Sequence, residues 1–153
     1  MSVNCNLQLH FCPASQDDIP VIFAMAKELV DTYEDRATID YQKVMDWMQR
    51  KIAQHIDSYT CVYAGGQKVA YFSLSVAPKQ AELDDLYVLP EFRKQGIGTA
   101  IVKHCVAKTE KPLYLYVFKD NAQAIKLYSR NGFSIAEDVS KTRFIMRREV
   151  DRQ

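Results

Sequence analysis

The segment Val88-Leu89-Pro90-Glu91-Phe92-Arg93-Lys94-Gln95-Gly96-Ile97-Gly98-Thr99-Ala100 joins a strand pattern to a helix pattern through a turn that contains two glycines. The strand pattern, Ala81 to Leu89, is closed by Pro90. The helix pattern runs from about Gly98 to Lys108, with Ile101, Val102, Cys105 and Val106 on its inward face. A helix that opens this way presents unpaired backbone N–H groups and the positive end of its dipole. Most helices begin with an acid that offsets this dipole. Here no acid lies between Arg93 and Lys108, and Arg93 and Lys94 precede the turn. Gly96 and Gly98 let the backbone adopt positive φ and come close to a ligand. The turn is therefore expected to receive an anion from outside.

The flanking periodicities are orderly. Leu7, Leu9 and Phe11 alternate with polar neighbours, as in a half-buried strand. Ser15-Gln16-Asp17-Asp18 then supplies a cap before Ile19 and Pro20, and Ile22, Met25, Ala26, Leu29, Val30 and Tyr33 form a helical stripe. After a polar break from Glu34 to Asp40, Tyr41, Val44, Met45, Met48, Ile52 and Ile56 line a second helix. Strands Tyr59 to Ala64 and Lys68 to Val76 flank the hairpin signature Gly65-Gly66. Pro112 to Phe118 is apolar enough for an inner strand. Asn121 to Arg130 is helical and ends at Asn131-Gly132, and two strands close the chain near Phe133 to Glu137 and Thr142 to Arg147. The order β-α-α-β-β-β-α-β-α-β-β, with at least one β-α-β unit among hairpins, predicts a single α+β domain over residues 1–153.

Composition limits the classes of function. The chain has 153 residues, 48% hydrophobic and 25% charged, with a formal net charge of +1. These values exclude disorder, collagen-like repeats and a disulfide-dominated scaffold. They leave no global field to recruit nucleic acid or an anionic membrane. The four cysteines (Cys5, Cys12, Cys61 and Cys105) form no C-x-x-C pair. The start MSVNCNLQLH is not a signal peptide. A reducing cytoplasm is the expected location, with each thiol acting as a small buried hydrophobe.

The glycine turn fits three anion-binding patterns unequally. A P-loop needs G-K-[ST], whereas Gly98 is followed by Thr99-Ala100. A dinucleotide fingerprint needs a third Gly or Ala where Ile101 stands. The third pattern is R-x-x-G-x-G, here Arg93-Lys94-Gln95-Gly96-Ile97-Gly98, with a pyrophosphate as the natural anion. Downstream comes Asn121-Ala122-Gln123-Ala124-Ile125-Lys126-Leu127-Tyr128-Ser129-Arg130-Asn131-Gly132-Phe133. With both motifs in this order and spacing, the chain resembles the GNAT superfamily of acetyl-CoA-dependent N-acetyltransferases, closely so from Leu83 to Phe133.

The resemblance implies a GNAT fold, a mixed and mostly antiparallel sheet of six to seven strands flanked by about four helices. It also implies acetyl transfer from acetyl-CoA to a primary amine by direct attack in a ternary complex. The strand ending Leu86-Tyr87-Val88 resembles one that splays at a bulge and pairs with the pantetheine arm, with the Val88 N–H polarising the thioester carbonyl. Main-chain N–H groups from Arg93, Lys94, Gln95, Gly96, Ile97, Gly98 and Thr99 would wrap the pyrophosphate. Asn121 resembles the family's pantetheine-contacting Asn, and Ala124 leaves room beside it. Tyr128 matches the tyrosine that meets the thioester sulfur and gives it a proton.

An amine at neutral pH is mostly ammonium and needs a base. The strand Glu82-Leu83-Asp84-Asp85-Leu86 offers three carboxylates. Strict alternation places Glu82 and Asp84 on one face with Leu86 and Val88, and Asp85 on the other until a bulge intervenes. The segment Leu83 to Val88 is similar to the acidic strand of the diamine N-acetyltransferase branch, where the residue matching Asp84 is a Glu that serves as base or anchor. Glu82 falls at the position of the base in histone-type members. His104 and Cys105 are neighbours on a helix and diverge, and no residues have metal-ligand spacing, so no metal is expected.

The connection Asp31 to Asp40 holds the acids Asp31, Glu34, Asp35 and Asp40 against Arg36. It could attract a cationic small-molecule or peptide amine, such as a polyamine or lysine-like chain, or simply be a solvated turn. Arg143, Arg147 and Arg148 are expected on a solvated strand edge that discourages aggregation. No nucleic-acid or membrane partner is expected. Homodimers are common in such folds, and no segment marks an interface. Two other functions compete: an acyl-CoA-binding sensor that lacks acid–base residues, against which Tyr128 and the acidic strand argue, and a dinucleotide-binding oxidoreductase.

Overall fold

The computed structural model describes residues 8–151, so Cys5 and Leu7 lie outside the described residues. Seven strands form one sheet: β1 (Leu9–Pro13), β2 (Tyr59–Ala64), β3 (Gln67–Val76), β4 (Ala81–Val88), β5 (Leu113–Phe118), β6 (Ser134–Asp138) and β7 (Arg143–Arg148). Their spatial order is β1-β2-β3-β4-β5-β7-β6, antiparallel except for the parallel pair β4–β5. The helices α1 (Ile19–Tyr33) and α2 (Tyr41–Gln54) cover one face, and α3 (Ile97–Lys108) and α4 (Ala122–Arg130) the other. The mixed α+β architecture read from the periodicities is the observed one.

Each face has its own core, because strand side chains alternate between the two helical layers. On the α1–α2 face, Ile22, Met25, Val30, Met45, Met48 and Ile52 pack on Tyr59, Cys61, Tyr71 and Tyr87. On the α3–α4 face, Ile101, Val102, Cys105 and Tyr128 pack on Val62, Phe72, Leu83, Leu115 and Met146. The predicted cap before α1 also ties layers together. The buried Asp18 carboxylate accepts from the Ser15 N–H (2.8 Å), the Tyr71 hydroxyl (2.7 Å) and the Lys68 ammonium (2.8 Å).

Strict alternation fails in β4. Tyr71 pairs with Tyr87 and Ser73 with Asp84, so the single residue Phe72 faces both Asp85 and Leu86. Asp85 takes the extra position with φ +52°, a β-bulge. Before it, Ala81 and Leu83 face the α3–α4 core, which turns Glu82 and Asp84 toward α1–α2. After it, Leu86 and Val88 join the α3–α4 side and Tyr87 the α1–α2 core. Glu82 and Asp84 therefore do not share a face with Leu86 and Val88. The inserted residue reverses the alternation.

Three further expectations are corrected. Strand β7 lies between β5 and β6, so its arginines are not on a sheet edge. Arg143 instead binds Glu34, and Arg148 donates to the Asn131 carbonyl. The acids of the α1–α2 connection are paired within the chain, although Asp31 and Asp40 stay exposed to solvent. Asp31 pairs with Lys27, Glu34 with Arg143 and Asp35 with Lys141, and Asp40 caps α2 through the Lys43 N–H. Cys61 and Cys105 are buried, but Cys12 is exposed. Among the described residues, no helix is long and apolar enough to cross a membrane.

Candidate active site

The parallel strands β4 and β5 pair at Ala81–Leu113 and Glu82–Tyr114, and beyond that point their ladder ends. Both strands continue, so their C-terminal halves border a gap. The backbone of Val88 faces that gap. The Leu89 N–H donates to the Val69 carbonyl (2.8 Å), which makes Ala70–Val88 a pair without mutual hydrogen bonds. The Val88 N–H and C=O then point away from β3. Its carbonyl accepts from the Arg93 Nε at 2.9 Å. The Arg93 guanidinium also reaches Glu28 (3.4 Å), so it folds back on β4 and leaves only the Arg93 main chain for the turn.

The turn itself is built for bare amides. Lys94 and Gly96 take the left-handed conformation, φ +64° and +83°, and Gly96 is the N-cap of α3. Among the described residues no side chain caps this helix, and its first turn holds no acid. The N–H groups of Ile97, Gly98 and Thr99 thus lack intrahelical acceptors. By contrast, α4 is capped, with Asn121 Oδ1 accepting from the Ala124 N–H at 3.2 Å. The Asn121 amide nitrogen remains available. Gly98 has a reason to be small that the sequence did not show. A methyl there would lie 3.2 Å from Leu127 Cδ2, so Gly98 sets how closely α3 approaches α4.

The bulge gathers carboxylates on the α1–α2 face. Asp85 accepts from the hydroxyls of Tyr87 (2.8 Å) and Tyr59. Lys51, from α2, sits 2.5 Å from Asp84 and 4.0 Å from Asp85. Burial raises the Asp85 carboxyl to about 6, and the charge of Asp84 adds to this, against the opposing pull of Lys51 and the two hydroxyls. Glu82 is raised too, by burial and then by Asp84, although it accepts from the Tyr114 hydroxyl at 3.1 Å. Sequence reading missed Lys51, Tyr59 and the role of Asp85. Lys51 and Tyr59 come from distant segments, and their only local mark is an ordinary amphipathic position. Tyr87, expected at the cofactor, sends its side chain into the α1–α2 layer, and alternation from Val88 turns its N–H and C=O toward Tyr71 of β3.

Tyr128 lies on the buried face of α4, 8% exposed, its ring edge-on to Phe133 at 5.6 Å. Its hydroxyl is held well above the ordinary phenol range by burial first, and then by Cys105, Asp84 and Asp85. No hydrogen bond from a described residue contributes. Ala124, one turn earlier, packs on the same core. A buried hydroxyl on α4, a main-chain donor at Val88, an uncapped helix start and a carboxylate cluster thus lie on the parallel strands β4 and β5 or on the helices that follow them. Such a site can hold a diphosphate, polarise a carbonyl and move protons at both ends of an acyl transfer.

Comparison with known proteins gives the family and the fold. Over 75 residues the chain is 35% identical to the ribosomal protein bS18-alanine N-acetyltransferase of Escherichia coli, a match covering 46% of this chain and 51% of that protein. Over 93 residues it is 27% identical to the spermidine N(1)-acetyltransferase of Thermoplasma acidophilum, covering 58% and 57%. The chain spans about half the length of the curated bS18-alanine relatives it matches. Its fold is similar to that of the PaiA N-acetyltransferase of Thermoplasma acidophilum, solved in complex with coenzyme A. That match has TM-score 0.69 and 21% identity, and covers 94% of this chain and 99% of the other. The sequence profile of the acetyltransferase (GNAT) family matches residues 23–133, and the chain belongs to that family.

Proposed function

We propose that the protein transfers an acetyl group from acetyl-CoA to a primary amine of a small molecule or peptide, by direct attack in a ternary complex. The observation that carries this reading is the gap between β4 and β5. It has the Val88 N–H on one side and the uncapped start of α3 at its end. The fit to a CoA thioester is specific in one respect. The first turn of α3 has neither a side-chain cap nor an acid, and two basic residues precede it. When bound, the thioester supplies the activated acetyl group.

The amides from Arg93 to Thr99, through Lys94, Gln95, Gly96, Ile97 and Gly98, hold the diphosphate. The main chain of Leu86, Tyr87 and Val88 lines the pantetheine, with Asn121 and Ala124 opposite. The Val88 N–H polarises the carbonyl. Asp84, working as one unit with Asp85, takes the proton of the incoming ammonium, and Glu82 stands next to them on the same face. Tyr128 starts protonated and would donate its hydroxyl proton to the departing sulfur as the C–S bond breaks, and the second proton shed by the attacking nitrogen would restore the phenol.

A screen for CoA-thiol release over polyamines, amino acids, aminoglycosides and peptides tests the reaction. Calorimetric CoA binding without release on any amine would support a sensor module instead. Tyr128→Phe should lower kcat by about a hundredfold and leave the CoA Kd unchanged. Unaltered kcat removes Tyr128 from the acid role.

A further inference from the structure

The acidic surface read from the sequence on the acceptor side is largely neutralised in the folded chain. Asp31, Glu34 and Asp35 are each engaged by a cation, Lys27, Arg143 and Lys141, at 2.7, 3.2 and 2.7 Å. Asp40 is committed to the start of α2. The same pattern reaches the centre of the site. Lys51 crosses from α2 to β4 and places its ammonium 2.5 Å from Asp84 and 4.0 Å from Asp85. Trp47, one helical turn earlier, holds that ammonium from the other side, with Nζ 5.3 Å from the ring centroid. The Lys51 side chain is 28% exposed, so it lines the surface of the site rather than its deep interior. Burial alone would favour its neutral form. The charges of Asp85, Asp84 and Glu82 outweigh this and keep it an ammonium.

We propose that Lys51 is a specificity-determining residue: its ammonium occupies, with the chain's own charge, the place beside Asp84 where the second cationic centre of a polyamine would bind. The inference rests on the N-acetyltransferase reading above and narrows its acceptor to amines with a single ammonium, the one that reacts. The physical reason is repulsion as much as lost attraction. A second ammonium brought to Asp84 meets Lys51 at contact distance, and the acids of the α1–α2 connection already have partners. The Asp84–Asp85 pair sets two carboxylates against the one Lys51 charge, with Glu82 beside it, which leaves negative charge for the reacting ammonium alone.

The test uses the chain's sole tryptophan, Trp47, whose emission reports on the site without turnover. The full chain and its Lys51→Met variant are titrated with spermidine and with butylamine, and kcat/KM is measured for both amines. The wild type should favour butylamine. Lys51→Met should bind spermidine about tenfold more tightly and shift the spermidine-to-butylamine ratio of kcat/KM by a similar factor. Lys51→Arg should retain the exclusion, and it serves as the conservative control if the methionine variant folds poorly. A wild type that prefers spermidine overturns the proposal, as does an unchanged spermidine Kd in Lys51→Met. Absence of acetyl transfer to every amine would instead overturn the enzymatic reading, while the fluorescence Kd values still decide the role of Lys51.

Discussion

Replacing Gly98 with alanine separates two reasons for a small residue at the start of α3: close approach of a ligand, and close approach of α4. The added methyl would stand 3.2 Å from Leu127 Cδ2 and 3.9 Å from its Cδ1, the first inside the usual carbon–carbon contact distance. Leu127 is partly buried against the α3–α4 core and must yield by a few tenths of an ångström. Overpacking by one methyl costs about 1–3 kcal/mol. Alanine returns roughly 0.5–1 kcal/mol through its lower backbone entropy in a helix. The net loss should be about 1 kcal/mol, a fall in Tm of roughly 2–4 °C for a chain of this size. Trimming the neighbour should relieve the strain, so the double variant Gly98→Ala/Leu127→Ala should be more stable than the sum of the single effects, by about 1 kcal/mol. Because the methyl points at α4, the Gly98 N–H keeps its position, and the CoA Kd should change by less than about threefold. Thermal denaturation of the four proteins and calorimetric titration with CoA make the comparison. An unaltered Tm together with CoA binding weakened about tenfold in both the single and the double variant would refute the packing argument and make ligand approach the reason for the glycine.

Other consequences follow from the buried carboxylates. With Asp85 raised to about 6, kcat/KM should fall tenfold per pH unit below that value as Asp85 gains its proton, and Asp85→Asn should abolish this acid limb. A flat wild-type profile across the same range would contradict the base assignment. The contribution of Asp85 to stability has the opposite sense to that of a paired acid. Its folded value lies above the ordinary one of 3.8, so the contribution is present at low pH and is lost as pH rises through about 6. Asp18 behaves conversely. Despite its burial, Lys68, Ser15 and Tyr71 hold its carboxyl below the ordinary range, so its contribution is present above 3.8 and disappears as pH falls through the lowered value. Asp18→Ala should cost about 3 kcal/mol, roughly 6–12 °C in Tm. A loss below 1 °C, read by calorimetry at neutral pH, would show that the three contacts add nothing.

The order and type of the elements could be read from the chain because they depend on short-range pattern. The stripe from Ile22 to Tyr33, the strand signal from Tyr59 to Ala64 and the turn at Gly65-Gly66 each encode their own geometry within a dozen residues or so. The turn from Arg93 to Thr99 was legible for the same reason. Its lack of acids and its glycines are local facts, and the uncapped helix start follows from them. Tyr128 stood out through the Asn121 to Phe133 motif, and its burial in the α3–α4 core came from the fold.

The wiring between elements was not written in any local window. One residue opposite two at Phe72 depends on how β3 and β4 settle against both cores, and it reversed the faces assigned to Leu86 and Val88. Lys51 is one basic residue among several on an amphipathic helix until α2 lies across β4 and brings it to Asp84. The acids of the α1–α2 connection look like a cation-attracting patch in one dimension. Folding brings Lys141 and Arg143, from the far end of the chain, onto Asp35 and Glu34. Local pattern therefore determined which backbone segments exist and that the start of α3 carries no cap and no acid. Charge balance on the α1–α2 face was decided by tertiary packing, because Coulomb pairing depends on distance in space and not on separation along the chain.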